Sequence, residues 1–342
     1  MPLGWYLAQG LYPIGPSSSD DEEGPCELPN GRLVCGPHGL VTCGRCCTDY
    51  SFMEDVPSDG EDDGESNVSD TDMMYEQLSP ERRAEIDARW GPPHPVNTQA
   101  NASVSQPRGL PADMGPEKRR GIGRAFPTKF FPPDRSILPT KLFPGQITDS
   151  NKCRYVHRNN PQKILIFTDG ACLNNGQLNP RAGWGFVYGP GILDRRAIVS
   201  GRLENQGPFG DESAQTSNRA EIRAVIAALR FRDWAVQGYR TVVIATDSEY
   251  AAEGSTKWVK TWVRNGWKTQ GKAEVKNRDL WEMLLGEVER WQEKGLTIQF
   301  WKIPRDWNRL ADAAAKDAAA ESHVPSRWTE CSSLPEAQMN LC

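Results

Sequence analysis

The sequence predicts an α/β domain in the second half of the 342-residue chain. Three observations carry this. Two continuous apolar runs, ILIFTD ending at Asp169 and VVIATD ending at Asp247, read as strands buried on both faces. Between them, SNRAEIRAVIAALRF sets Ile222, Val225, Ile226 and Leu229 at the i, i+3, i+4, i+7 spacing of an amphipathic helix. A strand, a helix and a second strand in that order can form a parallel pair with a right-handed crossover.

The remaining elements follow the same patterns. AGWGFVYG (182–189) and RAIVSGRL (196–203) are strands linked through Gly-Pro-Gly. NRDLWEMLLGEVERWQ (277–292) is an amphipathic helix, LTIQFWKI (296–303) a strand, and NRLADAAAKDAAAES (308–322) an Ala-rich helix. The order is β-β-β-α-β-α-β-α, and the predicted domain covers 161–322. Ahead of it come a segment without predicted order (1–25), a Cys-rich segment (26–50), an acidic and Pro-rich linker (51–125) and an extended lead-in (126–160). SPERRAEIDARW (79–90) is a short predicted helix within the linker, with Pro at its first position. Residues 323–342 read as a tail.

Composition limits the alternatives. Hydrophobic residues are 38% of the chain, and Gly (31) and Pro (26) make up a sixth of it, so one core spanning all 342 residues is not expected. Mean hydropathy is −0.62. No run of about 18 apolar residues exists, which excludes a transmembrane helix. The first residues lack a basic region and a long apolar core, so a nuclear or cytoplasmic location is expected, not a secreted, membrane or mitochondrial one. Lys118-Arg119-Arg120 is a weak nuclear signal. The net charge of −5 hides an asymmetry. Residues 1–75 hold fifteen acidic residues against Arg32 and Arg45, whereas 163–321 hold 23 basic and 20 acidic.

Both apolar strands end at an aspartate, and open α/β sheets place their sites at such carboxyl ends. Asp169 and Asp247 alone could also be ordinary turn residues. Glu221 lies in the first turn of a helix, where Asn218 and Glu221 have capping-box spacing. Asp312 can pair with Lys316 at i, i+4. Singly, none of the four is specific.

Taken together, ILIFTDGACLNNG, QTSNRAEIRAVIAAL, VIATDSEY, KWVKTWVRNGWKTQGKAEVKNRDLW and NRLADAAAKDAA resemble type 1 ribonucleases H in order and spacing, over about residues 161–322. The resemblance implies that fold: a five-stranded mixed sheet, three strands antiparallel and two parallel, flanked by helices. It implies an endonuclease that hydrolyses the RNA strand of RNA–DNA hybrids and leaves 5′-phosphate and 3′-hydroxyl ends. Asp169, Glu221, Asp247 and Asp312 match the catalytic carboxylates that hold two Mg²⁺ ions, with Mn²⁺ as a substitute. Hard cations want such oxygen ligands, and a pair of them can stabilise both the attacking and the leaving oxygen.

The resemblance also implies substrate contacts. Asn175, Ser217 and Asn218 match positions that read the 2′-hydroxyl of the RNA strand. Ser217 stands where an amide is expected. Thr216 and Asn277 match a phosphate pocket for the DNA strand, while Ala214 stands where a basic residue often helps. The segment 257–278 matches the family's basic handle. Lys257, Lys260 and Arg264 are expected on phosphates, with Trp258 and Trp262 as substrate-facing rings. The competing reading of Trp258, Trp262 and Trp267 is the buried stripe of a helix. The family's glycine-rich histidine loop before the fourth carboxylate is missing. Ile303 to Asp312 reads IPRDWNRLAD, a fungal-looking variant, with Arg305 as a fixed cation that cannot shuttle protons.

At the N-terminus, Cys35, His38, Cys43 and Cys46 offer four zinc-type ligands within twelve residues. A structural Zn²⁺ is one reading and a Cys-rich loop of reduced thiols the other. The expected partner is an RNA–DNA hybrid, with a protein partner possible through the Cys-rich and acidic segments. A monomer and no membrane association are expected. The alternative to an active enzyme is a catalytically weak adaptor that uses the same fold as a hybrid-binding platform.

Overall fold

In the computed structural model, the described residues are short strand segments before residue 50 and residues 116–147, 153–191, 197–269 and 272–331. The predicted helix at 79–90 and most of the linker lie outside them, as do His38 and Cys46. Cys35 and Cys43 are described only as strand backbone.

The predicted five-stranded mixed sheet is present at the centre of a larger one. We number the domain's elements in chain order: β1 (Thr128–Lys129), α1 (Pro139–Leu142), β2 (Gly145–Ile147), β3 (Cys153–His157), β4 (Asn160–Leu173), β5 (Arg181–Val187), β6 (Ile198–Arg202), α2 (Ser217–Arg230), β7 (Thr241–Thr246), α3 (Glu249–Glu253), α4 (Val259–Arg264), α5 (Arg278–Glu293), β8 (Thr297–Lys302) and α6 (Arg309–Ala320). The central order is β6-β5-β4-β7-β8. β6, β5 and β4 are antiparallel, and β4, β7 and β8 are parallel.

The lead-in adds three more strands. β1 extends the β8 edge in parallel, and β3 pairs with the first half of β4 and carries β2. The segment drawn as extended chain at 126–160 is therefore part of the sheet.

The apolar runs are continuous because the sheet is covered on both sides. Ile164 and Ile166 of β4, with Val242 and Ile244 of β7, join the core beneath α2 and α5. Leu165 and Phe167, with Val243 and Ala245, join the opposite core with Phe143, Trp301 and Ala311. Each strand thus alternates with period two between two apolar layers.

Folded chain extends past the predicted domain at both ends. On the N-terminal side, the backbone N–H groups of Ile122, Gly123 and Arg124 all donate to Glu289 Oε1 of α5, at 2.9, 2.8 and 3.0 Å. A Cβ at Gly121 would overlap the backbone of α5 at Leu285 and Gly286. On the C-terminal side, the predicted tail is bonded down. Thr329 donates to Glu204 Oε1 from its N–H (3.2 Å) and its hydroxyl (2.7 Å). The Trp328 ring stacks on the Arg223 guanidinium, which itself pairs with buried Glu204 at 2.7 Å.

Both ends meet at Arg230. Its guanidinium bonds Glu287, the Pro116 carbonyl and Glu330, the last at 2.9 Å. Composition suggested a tail because 323–331 offers few apolar residues. What holds it is a set of charge-assisted bonds to buried arginines and a glutamate, which no hydropathy pattern displays.

Removing residues 324–342 strips Glu204, Arg223 and Arg230 of partners, each bond to a charged group being worth about 1.5–3 kcal/mol. The melting temperature should fall by roughly 5–10 °C, given about 2–4 °C per kcal/mol for a domain of this size. Calorimetry showing an unchanged midpoint would mean the tail is only laid against the surface.

Candidate active site

The parallel pairing of β4 with β7 brings Asp169 and Asp247 together. Phe167 pairs with Ala245, and each aspartate lies two residues beyond its member of that pair. Both continue the odd-numbered series that faces the α6 layer. Asp169 is not at a strand end, however. β4 runs on to Leu173, and Asp169 pairs with Gly185 of β5. The sequence places the strand end there because β4 leaves its parallel partner at that point.

Helix α2 delivers Glu221. Thr216 caps it, its Oγ1 accepting from the Arg219 N–H at 3.2 Å. The helix then crosses directly over Gly170, where a Cβ would overlap the backbone of Ala220 and Glu221. Only glycine permits this approach. Helix α6 delivers Asp312 by the same device: side chains at Gly183 and Gly185 of β5 would meet Ala315, Ala318 and Ala319, or Ala314 and Ala315.

Asn308 ties two of these elements together. Its Nδ2 donates to Asp247 Oδ1 (2.6 Å) and to the Thr168 carbonyl (2.9 Å). It stands at the N-cap position of α6, yet its side chain makes no cap bond and is spent on Asp247. The sequence pattern around Asp312 includes Asn308, but nothing in it signals this positioning role.

Asp169 is 4% exposed and Glu221 8%. Burial raises both carboxyls well above the usual carboxylate range. The charges of Asp247 and Asp312 push Asp169 up further, while Arg305 and a hydrogen bond with Glu221 pull it down. The charges of Asp169 and Asp247 push Glu221 up further. Asp247 is also raised by burial, against the pull of the Asn308 bond and Arg305. Glu221 Oε2 is buried without a hydrogen-bond partner. Asp312 accepts from two cations, Lys316 Nζ at 2.8 Å and Arg305 Nη2 at 3.2 Å.

The substrate-facing candidates divide. Asn175 is 1% exposed, its Nδ2 donating to Ser217 Oγ at 3.0 Å and its Oδ1 accepting from the Ser217 N–H at 3.4 Å. These bonds fix the start of α2 from inside. Ser217 and Asn218 are themselves mostly buried in the first turn of α2. Thr216 and Asn277 are joined through Arg219, which the sequence did not mark. Arg219 holds Asp279 with two bonds, at 2.8 and 2.6 Å, and approaches Asn277 Oδ1 at 3.5 Å. Asn277 itself adopts a left-handed φ of 58° and donates to the Tyr250 hydroxyl at 3.1 Å.

In the handle, Trp258 and Trp262 are 5% and 1% exposed and pack with Tyr250 and Trp281. They are core side chains, which corrects the substrate-facing expectation. Indole rings at i, i+4 on a helix seated over α5 bury more apolar area than they could expose usefully. A π-helical turn, Gly254–Trp258, leads into α4, and Gly254 is pressed against the Trp281 ring. Lys257, Arg264, Lys268, Lys272, Lys276 and Arg278 are exposed on the outside, with Lys260 half-buried among them.

Neither described histidine substitutes for the missing loop. The His157 ring packs edge-on against Phe143, and His323 lines a cleft beside β6.

Comparison with known proteins gives a consistent result. The RNase H family model matches residues 161–320. The chain is 41% identical over 168 residues to the ribonuclease H of Cupriavidus pinatubonensis, covering 46% of this chain and 97% of that one. It is 39% identical over 158 residues to a ribonuclease HI of Neisseria meningitidis, again covering 46% and 97%. Among solved structures, LC9-RNase H1, a type 1 RNase H with the type 2 active-site motif, matches at 28% identity and a TM-score of 0.35. That match covers 49% of this chain and 77% of the other. A relative of which 97% is covered at 41% identity leaves one assignment for the domain: the chain belongs to the ribonuclease H family.

Proposed function

We propose that the folded domain, residues 116–331, hydrolyses the RNA strand of RNA–DNA hybrids to 5′-phosphate and 3′-hydroxyl ends. The observation that carries this reading is that Asp169, Glu221 and Asp247 are neighbours at one edge of the sheet, close enough to act on one another's charge. Burial and repulsion there oppose their charge, and a buried Glu221 oxygen is left without a partner. Such a cluster is stable in its ionised form only with a cation among it.

Family membership implies a divalent metal, and the donor set fits one, being carboxylate oxygens throughout. Asp169, Glu221, Asp247 and Asp312 would hold two Mg²⁺ ions. When bound, these activate the attacking water and neutralise charge on the leaving 3′ oxygen.

The rest belongs to the chain. Asn308 fixes the Asp247 carboxylate against β4. Thr216 and Asn277, braced by Arg219, face a DNA phosphate. Asn175, Ser217 and Asn218 read the 2′-hydroxyl of the RNA strand by the family match, from mostly buried positions at the start of α2. The cations of the handle, exposed Lys257 and Arg264 and half-buried Lys260 among them, lie along the hybrid's backbone. With no histidine at the cleft among the described residues, a positioned proton carrier is missing, a group typically worth about 10²–10⁴-fold. The domain is therefore a slow member of its family.

Asp247→Asn tests the catalytic reading, because its amide oxygen can still accept from Asn308. Single-turnover cleavage of a labelled hybrid should fall by on the order of 10²–10³ or more, while hybrid affinity stays within about twofold. Equal rates for variant and parent would remove Asp247 from the chemistry.

A triple substitution, Lys257→Ala with Lys260→Ala and Arg264→Ala, tests the handle. Phosphate contacts release counterions, so the slope of log affinity against log salt should flatten by roughly two units. An unchanged slope would mean that these side chains merely solvate the helix.

A further inference from the structure

The cleft already contains a cation of the chain's own. Arg305 lies in a single 3₁₀ turn, Arg305–Trp307, closed by the Trp307 N–H to the Pro304 carbonyl and the Asn308 N–H to the Arg305 carbonyl. The turn is anchored, since Trp307 packs on the apolar layer of Phe143, Trp301 and Ile303. From it the guanidinium reaches back over the first turn of α6 to Asp312 Oδ1 at 3.2 Å. Lys316 occupies the other oxygen of the same carboxylate at 2.8 Å. By contrast, Arg309, four residues further on, points outward to Asp306 and is 77% exposed.

An exposed pair at this distance would by itself mean little. Arg305 is itself about half exposed, at 48%; what sets it apart is that it and Lys316 together engage both oxygens of Asp312. Burial disfavours its charge, yet Asp247, Asp169 and Asp312 together hold its pKa above the ordinary arginine value. In return, it opposes the upward push on Asp169 and Asp247. Among the described residues, no three acidic, histidine or cysteine side chains stand close enough together to hold a metal ion in this arrangement. Asp312 has both of its oxygens engaged by cations.

We propose that Arg305 is a resident counter-ion of the acidic site: it holds the Asp312 carboxylate in the metal-free protein and competes with divalent metal for it. The inference rests on the functional reading above, since it concerns the same carboxylates. The shortened loop then has a physical consequence. It trades a proton carrier for a tethered cation that keeps the empty cleft stable and weakens its hold on metal. Arg305 acts here as a positioning residue.

The test measures metal binding without nucleic acid, so its outcome is independent of whether cleavage occurs. Mn²⁺ is titrated into the full chain and followed by electron paramagnetic resonance of the free ion, for the parent, Arg305→Ala, Arg305→Lys and Arg309→Ala. Removing one unit charge a few ångström from the binding oxygens should tighten Mn²⁺ binding about tenfold in Arg305→Ala. Arg305→Lys should stay near the parent, and Arg309→Ala within about twofold of it. In melting experiments Arg305→Ala should unfold at a lower temperature than the parent without metal. Saturating Mn²⁺ should raise its midpoint by more than the parent's. Equal affinity of Arg305→Ala and parent overturns the proposal and leaves the hydrolysis reading standing. An equal gain in Arg309→Ala also overturns it, because the effect would then be a general field. Failure of Mn²⁺ to bind the parent and all three variants would overturn this proposal and the metal-dependent reading together.

Discussion

The site depends on one close approach of backbones. Helix α2 passes over Gly170 with no room for a side chain, and that contact sets Glu221 beside Asp169. The same strategy recurs at Gly183 and Gly185, where the alanines of α6 lie against β5 and Asp312 is carried to the same edge of the sheet. Helices held at this distance cannot slide or tilt without overlap, because the interior is close-packed. The carboxylates are thus fixed by contacts made one or two residues away from them. This matters because burial and the neighbouring acids oppose the charge on Asp169 and Glu221.

The energetic consequence is a strained cleft in an otherwise well-compensated molecule. Elsewhere, several buried charges are paired: Arg223 with Glu204, Arg219 with Asp279, and Arg230 with Glu287 and Glu330. At the active site the balance is reversed, with burial and repulsion raising Asp169, Glu221 and Asp247 together. Of these, Arg230 also bonds the Pro116 carbonyl and Glu330, and Arg223 the Thr329 carbonyl, so the stability needed to hold the carboxylates comes partly from outside the family-matched region. Asn308 and Arg305 moderate the excess negative charge in the cleft, one by a hydrogen bond and the other by a full charge.

Much of this was legible in the sequence. The two apolar runs ending in aspartate, the α2 periodicity and the Ala-rich last helix specify the central sheet and its flanking helices, and the motif resemblance located the four acids. Three things were not legible, each for a physical reason. Trp258 and Trp262 carry the pattern of a basic, aromatic nucleic-acid surface, and only packing against Tyr250 and Trp281 decides that the rings face inward while the cations face out. Asn175 is chemically suited to touch a ligand, but its partner Ser217 lies 42 residues away and that contact depends on the fold. The extensions at both ends are held by charge-assisted bonds from short polar segments, which have no periodicity to detect.

The central claim is that these carboxylates form a metal-dependent nuclease specific for the hybrid. The most direct measurement is cleavage by the full chain of one sequence presented as RNA–DNA, RNA–RNA and DNA–DNA duplexes, with Mg²⁺ and with chelator. The account predicts that only the RNA strand of the hybrid is cut, slowly, with 5′-phosphate ends and only in the presence of metal. Cleavage that persists in chelator, or that proceeds equally on all three duplexes, would contradict it. So would a hybrid that binds tightly and remains intact with metal bound.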